Sequence, residues 1–175
     1  MVMIIAFLVA IVVPGILIYA VTRPDNFRVQ RSMVMSASPA RIFPLIDDFH
    51  RWHEWSPYEK LDPDMKKTLS GAESGKGAVY EWEGNSKAGK GRMEITECSP
   101  PSMIAMTLDF DKPFKAHNIS EFTMAPQGDG TNVTWAMHGP QAYAAKLMGI
   151  FMNMDTMVGK DFEAGLANMK SIVEK

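Results

Sequence analysis

The chain has 175 residues, with 18 basic and 20 acidic side chains, a formal net charge of −2 and one cysteine. Near-balanced charge removes the electrostatic case for a nucleic-acid partner. A lone Cys98 excludes an internal disulfide and fits a reducing compartment.

The first element is the run from Met1 to Val21, which carries no charged side chain before Thr22, Arg23 and Pro24 end it. A helix needs about 20 apolar residues to cross a bilayer core, so residues 1–22 read as one transmembrane helix and residues 23–175 as a single attached domain. A cleaved leader would carry basic residues before the apolar run and a small-x-small site. Here nothing basic comes first, and Ile18-Tyr19-Ala20 is a poor match. A buried core helix would show a polar face, and this one has none. Pro14-Gly15 would kink the span, which membrane helices tolerate. Arg23, Arg28 and Arg31 follow it, so the positive-inside bias places the domain on the cytoplasmic side of a single-pass membrane protein.

Phe27 to Met35 alternates as a strand. Ser38 and Pro39 then suit the N-cap and first turn of a short helix to about Asp48, with Ile42, Leu45, Ile46 and Phe49 on one side and Pro44 forcing a kink or break. His50 to Tyr58 is an aromatic-rich loop. Six strands follow, Met65–Ser70, Ala78–Glu83, Lys90–Ser99, Met103–Phe110, Lys115–Met124 and Asn132–His138, separated by Gly, Pro, Asn and Asp turns. Short links between consecutive strands imply an antiparallel meander. From Gln141 to Lys175 the pattern is helical, with Phe151, Met154, Val158, Phe162, Leu166, Met169 and Val173 forming an apolar stripe. Five of the fifteen methionines, Met148, Met152, Met154, Met157 and Met169, crowd this end, and flexible thioethers suit surfaces that accommodate varied apolar shapes. The class is α+β.

Several stretches carry a resemblance: Trp55-Ser-Pro, Tyr80-Glu-Trp-Glu-Gly-Asn85, Gly89-Lys-Gly-Arg-Met-Glu-Ile95, Gly130-Thr-Asn-Val-Thr-Trp135 and Gly159-Lys-Asp-Phe-Glu-Ala-Gly-Leu166. Over roughly residues 27–174 the chain resembles the polyketide cyclase/dehydrase and lipid-transport group of the START-like (SRPBCC) superfamily. The resemblance implies a helix-grip fold, an antiparallel sheet curved around a long C-terminal helix with a hydrophobic cavity between them. It implies no single activity, since members include lipid carriers, cyclases, hydrolases and sensors.

Strand parity selects the inward residues: Tyr80 and Trp82, Met93 and Ile95, Ile104, Met106 and Leu108, Phe122 and Met124, and Val133, Trp135 and Met137. That wall is apolar almost throughout and offers few bases, which argues against an enzyme; His117 and His138 sit at strand ends. Ligand contacts are expected from Trp55, Tyr80, Trp82, Met93, Met106, Phe122, Trp135, Met137, Phe151, Met154 and Phe162. The mouth is expected near Trp52, Trp55 and Tyr58, whose amphipathic rings suit a membrane interface. No metal or cofactor is expected: His50, His53 and Glu54 lack the H-E-x-x-H spacing, and Ser70 to Gly77 lacks the phosphate-loop pattern. Cys98, in a strand without basic neighbours, reads as packing. The expected function is therefore a membrane-tethered binder of a hydrophobic or amphipathic small molecule such as a lipid, quinone or polyketide. The alternatives are a cyclase, dehydratase or hydrolase acting on a hydrophobic substrate, or a partner-docking module.

Overall fold

The computed structural model describes residues 2–151 and 153–175, with the side chains of residues 2–9, 11 and 151 outside the description. Helix α1 spans Val2–Thr22 and leads into strand β1, Asn26–Met35. Pro44, which has no amide hydrogen to extend a preceding helix, separates two single turns, α2 (Pro39–Ile42) and α3 (Pro44–Asp47). The aromatic segment then forms two 3-10 turns, Phe49–Glu54 and Pro57–Lys60, rather than an open loop. Strands β2 to β7 cover Lys66–Gly71, Ala78–Glu83, Lys90–Ser99, Met103–Lys112, Ala116–Gln127 and Gly130–Pro140.

These form one seven-stranded antiparallel sheet in the order β1-β7-β6-β5-β4-β3-β2. The meander from β2 to β7 is built from hairpins, and β1 adds to its free edge beside β7. Gly128, at φ 58°, takes the first central position of the two-residue β6–β7 turn, where a left-handed residue matches the twist of the strands. In β4 the register shifts between Ile95 and Glu97, a bulge that bends the strand locally.

The C-terminal helix is interrupted. It divides into α4 (Tyr143–Phe151) and α5 (Met154–Val173), because Asn153 adopts an extended conformation and its side chain accepts a hydrogen bond from the Thr156 amide. Helix α5 lies on the inner face of the sheet, with Phe162, Leu166, Met169 and Val173 buried. Phe162 stacks on Trp135 with ring centroids 4.0 Å apart. Every inward strand residue anticipated by parity is buried except Leu108, which is half-buried.

Helix α1 lies against α4, and the Tyr143 hydroxyl donates to the Leu17 carbonyl at 3.0 Å. Val12, Val13, Leu17, Ile18, Tyr19 and Val21 are exposed. Among the described residues no helix is long and apolar enough to cross a membrane. Of the segment 1–22 on which the anchor was expected, residue 1 and the side chains of residues 2–9 and 11 lie outside that description.

Candidate ligand cavity

Between the inner face of the sheet, α5, α4 and the turn around Pro57 lies a cavity of about 1070 Å³. Its size follows from how the helices meet the sheet. Gly165 brings α5 close to the indoles of Trp55 and Trp135 and to Pro57, where a larger side chain would collide with Trp135. This fills one end of the space under the sheet with packed aromatic rings. Toward the other end, α4 stands where α5 stops, and the space stays open. Lys146, buried on α4, holds that helix through its ammonium group, 2.5 Å from Asp25, while the Gln141 amide donates to the Asp25 carbonyl at 2.7 Å.

Tyr80, Trp82, Met93, Trp135, Met137, Met154 and Phe162 border the cavity. Trp55, Met106 and Phe122 do not. They are fully buried in the aromatic core, where Trp55 meets Trp135 at 5.5 Å and Phe122 stacks on Trp135 at 4.8 Å. Parity assigns a face but not whether a helix covers that point of it. The side chain of Phe151 lies outside the described residues.

Of the aromatic segment, Trp52 and Tyr58 border the cavity and Trp55 does not. Trp52 and Trp55 are only 4% and 1% exposed, because their indole N–H groups donate to the carbonyls of Ile46 and Leu45 at 2.9 and 2.6 Å. Those carbonyls belong to the short α3, which has no following turn to receive them. Leu61, Phe114, Met148 and Met154 are large exposed apolar side chains on the cavity border, and Lys87 and Lys115 are exposed on it too.

The wall also carries polar groups. The Tyr80 hydroxyl donates to Glu59 at 2.6 Å, and the other Glu59 oxygen takes the Lys67 ammonium. Tyr58 lies beside Asp161, with its ring edge-on to Trp135. Burial, then the charge of Asp161, pushes the Tyr58 phenol well above its ordinary range, and burial with the Glu59 hydrogen bond does the same to Tyr80. Both phenols are therefore neutral at physiological pH. Burial also raises Asp161, against the lowering effect of Tyr58. Ser56 is 1% exposed, and its Oγ has no hydrogen-bond partner among the described residues. On β6, Asn118 and Ser120 are buried on the wall, and Ser120 Oγ accepts from the Trp135 indole at 3.0 Å.

Asn118, Ser120 and Asp161 had a legible signal. Asn118 and Ser120 share the parity of Phe122 and Met124, so the inward face of β6 turns polar toward its start. Asp161 falls three residues after Val158 and four before Gly165, inside the apolar stripe of α5. Ser56 and Glu59 sit in an irregular turn where no periodicity exists to read.

The other candidate groups engage in local contacts. His50 and Glu54 pair with Asp48 and Arg51 at 2.8 and 2.7 Å, and the His53 ring meets the His50 carbonyl. No group of three or more His, Cys, Asp or Glu side chains arranged to hold a metal occurs among the described residues. His117 borders the cavity but is exposed and pairs with Asp109, and His138 pairs with Glu121 at 3.3 Å. Burial raises the Cys98 thiol, opposite to the shift of a reactive cysteine.

Residues 26–174 match the family described as polyketide cyclase / dehydrase and lipid transport. The chain belongs to this family. No curated protein matches it. Among solved structures, it is similar to protein CV1439 from Chromobacterium violaceum, with 18% identity, a TM-score of 0.59, and coverage of 87% of this chain and 99% of that one. It is similar to BexL, a di-domain ARO/CYC from the BE-7585A biosynthetic pathway, with 15% identity and a TM-score of 0.63, covering 90% of this chain and 53% of that one. DynU16, from the dynemicin biosynthetic locus, shares 12% identity and a TM-score of 0.60 over 87% of this chain and 48% of its own. At these identities the likeness is one of fold.

Proposed function

We propose that this family member is a binding protein for a hydrophobic or amphipathic small molecule held in the cavity, tethered to a membrane through α1. The observation that carries the reading is the open space of about 1070 Å³ beneath the sheet, bordered mostly by apolar and aromatic side chains. Enclosing apolar ligand surface there gains about 25 cal/mol per Å² removed from water, and a few polar groups suffice to orient it. Tyr80, Trp82, Met93, Trp135, Met137, Met154 and Phe162 supply the contacts. The tether is supported by the uncharged run Met1 to Val21 and by the exposed apolar side chains of α1. The arginines that follow orient the domain toward the cytoplasm.

A second reading has its own observation. Asp161 stands on the cavity wall beside Tyr58, and a carboxyl with a raised pKa is the kind of group a cyclase or dehydratase uses for proton transfer.

The test is native mass spectrometry with lipid extraction on the detergent-solubilised full chain, beside Met93→Trp, which places an indole in the cavity. A stoichiometric apolar molecule on the wild type, reduced at least about tenfold in the variant, supports the binding reading. Empty protein that also fails to retain an added apolar probe sinks it. Fractionation tests the tether, since a chain that leaves the membrane pellet in carbonate wash has no anchor.

A further inference from the structure

One end of the sheet combines charge, exposed apolar surface and the entry of α1. The antiparallel register sets the start of β1 beside the end of β7, through Asn26 and Pro140, and the β5–β6 turn beside the β3–β4 turn, through Lys112 and Lys90. The pairs Ile119 with His138 and Phe110 with Ala116 join these two halves at the same end. Lys87, Ala88, Phe114 and Lys115 of the two turns border the cavity, as does Asp25 before β1, whereas the β4–β5 and β6–β7 turns at the other end do not. The two lysine-bearing turns touch. A methyl group on Gly89 would overlap the Lys112 carbonyl, and the Lys90 and Lys112 ammonium groups share the Glu83 carboxylate at 3.2 and 3.6 Å. The Trp82 indole donates to the Ala88 carbonyl at 2.9 Å, which seats the first turn on the cavity wall. Residues 84–90 and 111–115 carry four lysines against one acid, Asp111. The nearby Asp62 and Asp109 are engaged, by the Asn85 amide at 2.6 Å and by His117. Among the described residues, Lys87 and Lys115 have no carboxylate partner, and Phe114 beside Lys115 is 67% exposed.

We infer that the β3–β4 and β5–β6 turns form a docking tip for an anionic lipid surface, with Phe114 entering the bilayer interface and Lys87, Lys112 and Lys115 meeting acidic headgroups. The tip rests on the tethered-binder reading and adds an orientation to it: the cavity border at this end of the sheet faces the membrane. Three residues, Arg23 to Asp25, separate α1 from β1, and fully extended they span only about 10 Å. The attraction of lysines to an acidic bilayer fades over a Debye length, about 8 Å at physiological ionic strength. A tether this short therefore holds the end of the sheet from which it leaves within reach of that field. An aromatic ring flanked by lysine suits the interface, where the ring leaves water and the ammonium group stays at headgroup level. Helix α4, whose Tyr143 donates to Leu17 of α1, carries Met148 exposed on the same cavity border.

The test uses the full chain in phosphatidylcholine nanodiscs, with and without phosphatidylglycerol, in which a fraction of the lipids carries a nitroxide quencher at the interface. A thiol-reactive fluorophore is placed at Ser86→Cys in the β3–β4 turn or at Asp129→Cys in the β6–β7 turn, both exposed and at opposite ends of the sheet, in a Cys98→Ser background checked by near-UV circular dichroism. Quenching should be several-fold stronger at position 86 than at 129 and should rise further with phosphatidylglycerol. Phe114→Ser should weaken it at position 86, and Lys87→Glu with Lys115→Glu should remove the gain from phosphatidylglycerol. Equal quenching at the two positions, or none at 86 in a chain that stays in the nanodisc, overturns the tip and leaves the tethered binder standing. Quenching at 86 that ignores both phosphatidylglycerol and charge reversal overturns the anionic-lipid assignment. A chain that does not enter the nanodisc has no anchor, and the tip falls with it while the cavity reading stands.

Discussion

The guanidinium of Arg31 on β1 occupies the place where Gly159 on α5 lacks a side chain. A methyl group there would overlap Nη2. From this position Arg31 reaches Glu163 at 2.7 Å, both Asp155 carboxylate oxygens at 2.9 and 3.0 Å, and the Asp155 carbonyl at 2.9 Å. One side chain thus binds the first turns of α5 to the edge strand, and the helix that forms the cavity's roof is positioned by it. Gly159→Ala should lower the melting temperature by a few degrees. In an Arg31→Ala background the same change should cost nothing further, because the collision is gone. A full additional loss in the double variant would show that the glycine matters for another reason.

Trp135 is the hinge between packed core and open cavity. It stacks on Phe162 and Phe122, touches Trp55 and donates to Ser120. Trp135→Ala should destabilise the domain by about 3–5 kcal/mol in urea titration. A loss below about 1 kcal/mol would mean that the rings collapse to fill the gap.

Asp161 and Asp155, on one helix, should respond oppositely to pH. Burial raises Asp161 in the folded state above its unfolded value, so the fold holds that proton more tightly and loses stability as pH rises from 3.8 through the raised value. Asp161→Asn should therefore gain on the wild type between pH 3.5 and 7 in urea midpoints. Asp155 is lowered by its hydrogen bond to Arg31, so its contribution is present above pH 3.8 and fades as pH falls through the folded value. The advantage of wild type over Asp155→Asn should shrink in acid. Parallel profiles for both variants would contradict these assignments.

Tyr58 and Tyr80 should resist ionisation. Both phenols are raised from 10.0, by burial first and then by the neighbouring carboxyl group. Replacing either with phenylalanine should leave the absorbance change at 295 nm at pH 10 unaltered in folded protein and reduce it only after unfolding. A loss in the folded state would place that hydroxyl in water.

Gly91 on β4 faces the ring of Trp82 so closely that a Cβ would collide with it and with the Asp109 carbonyl. Gly91→Ala should cost about 1–3 kcal/mol by forcing the cavity wall apart. It should also loosen probe binding, because Trp82 borders the cavity. Unchanged stability would indicate that the strand can shift without consequence.

Reading Ala78–Glu83 or Asn132–His138 as strands requires only alternation and flanking turn residues, and the inward faces followed from the same two-residue period. The aromatic segment was harder. Trp52 and Trp55 resemble an exposed interfacial pair in a polar stretch, and only the unsatisfied carbonyls of a four-residue helix, Leu45 and Ile46, draw their indoles inward. The break at Asn153 was also hidden, since the apolar stripe runs through it with unbroken spacing and only the cap to Thr156 divides the helix.

The amino-acid pattern by itself determined the order of elements, the face each strand turns inward, the uncharged first segment and the family, because these depend on local periodicity and short motifs. The tertiary structure alone decided which inward residues stay packed and which border open space. Met106 and Met93 share an inward orientation on neighbouring strands, yet Met106 is sealed in the core and Met93 borders the cavity. The difference is where α5 lies over the sheet, which is set by contacts distant in sequence, Arg31 with Gly159 and Trp135 with Gly165. The polar turn at Ser56 is likewise a product of assembly, since its groups meet Tyr80 and Asp161 only when strand, turn and helix close on one another.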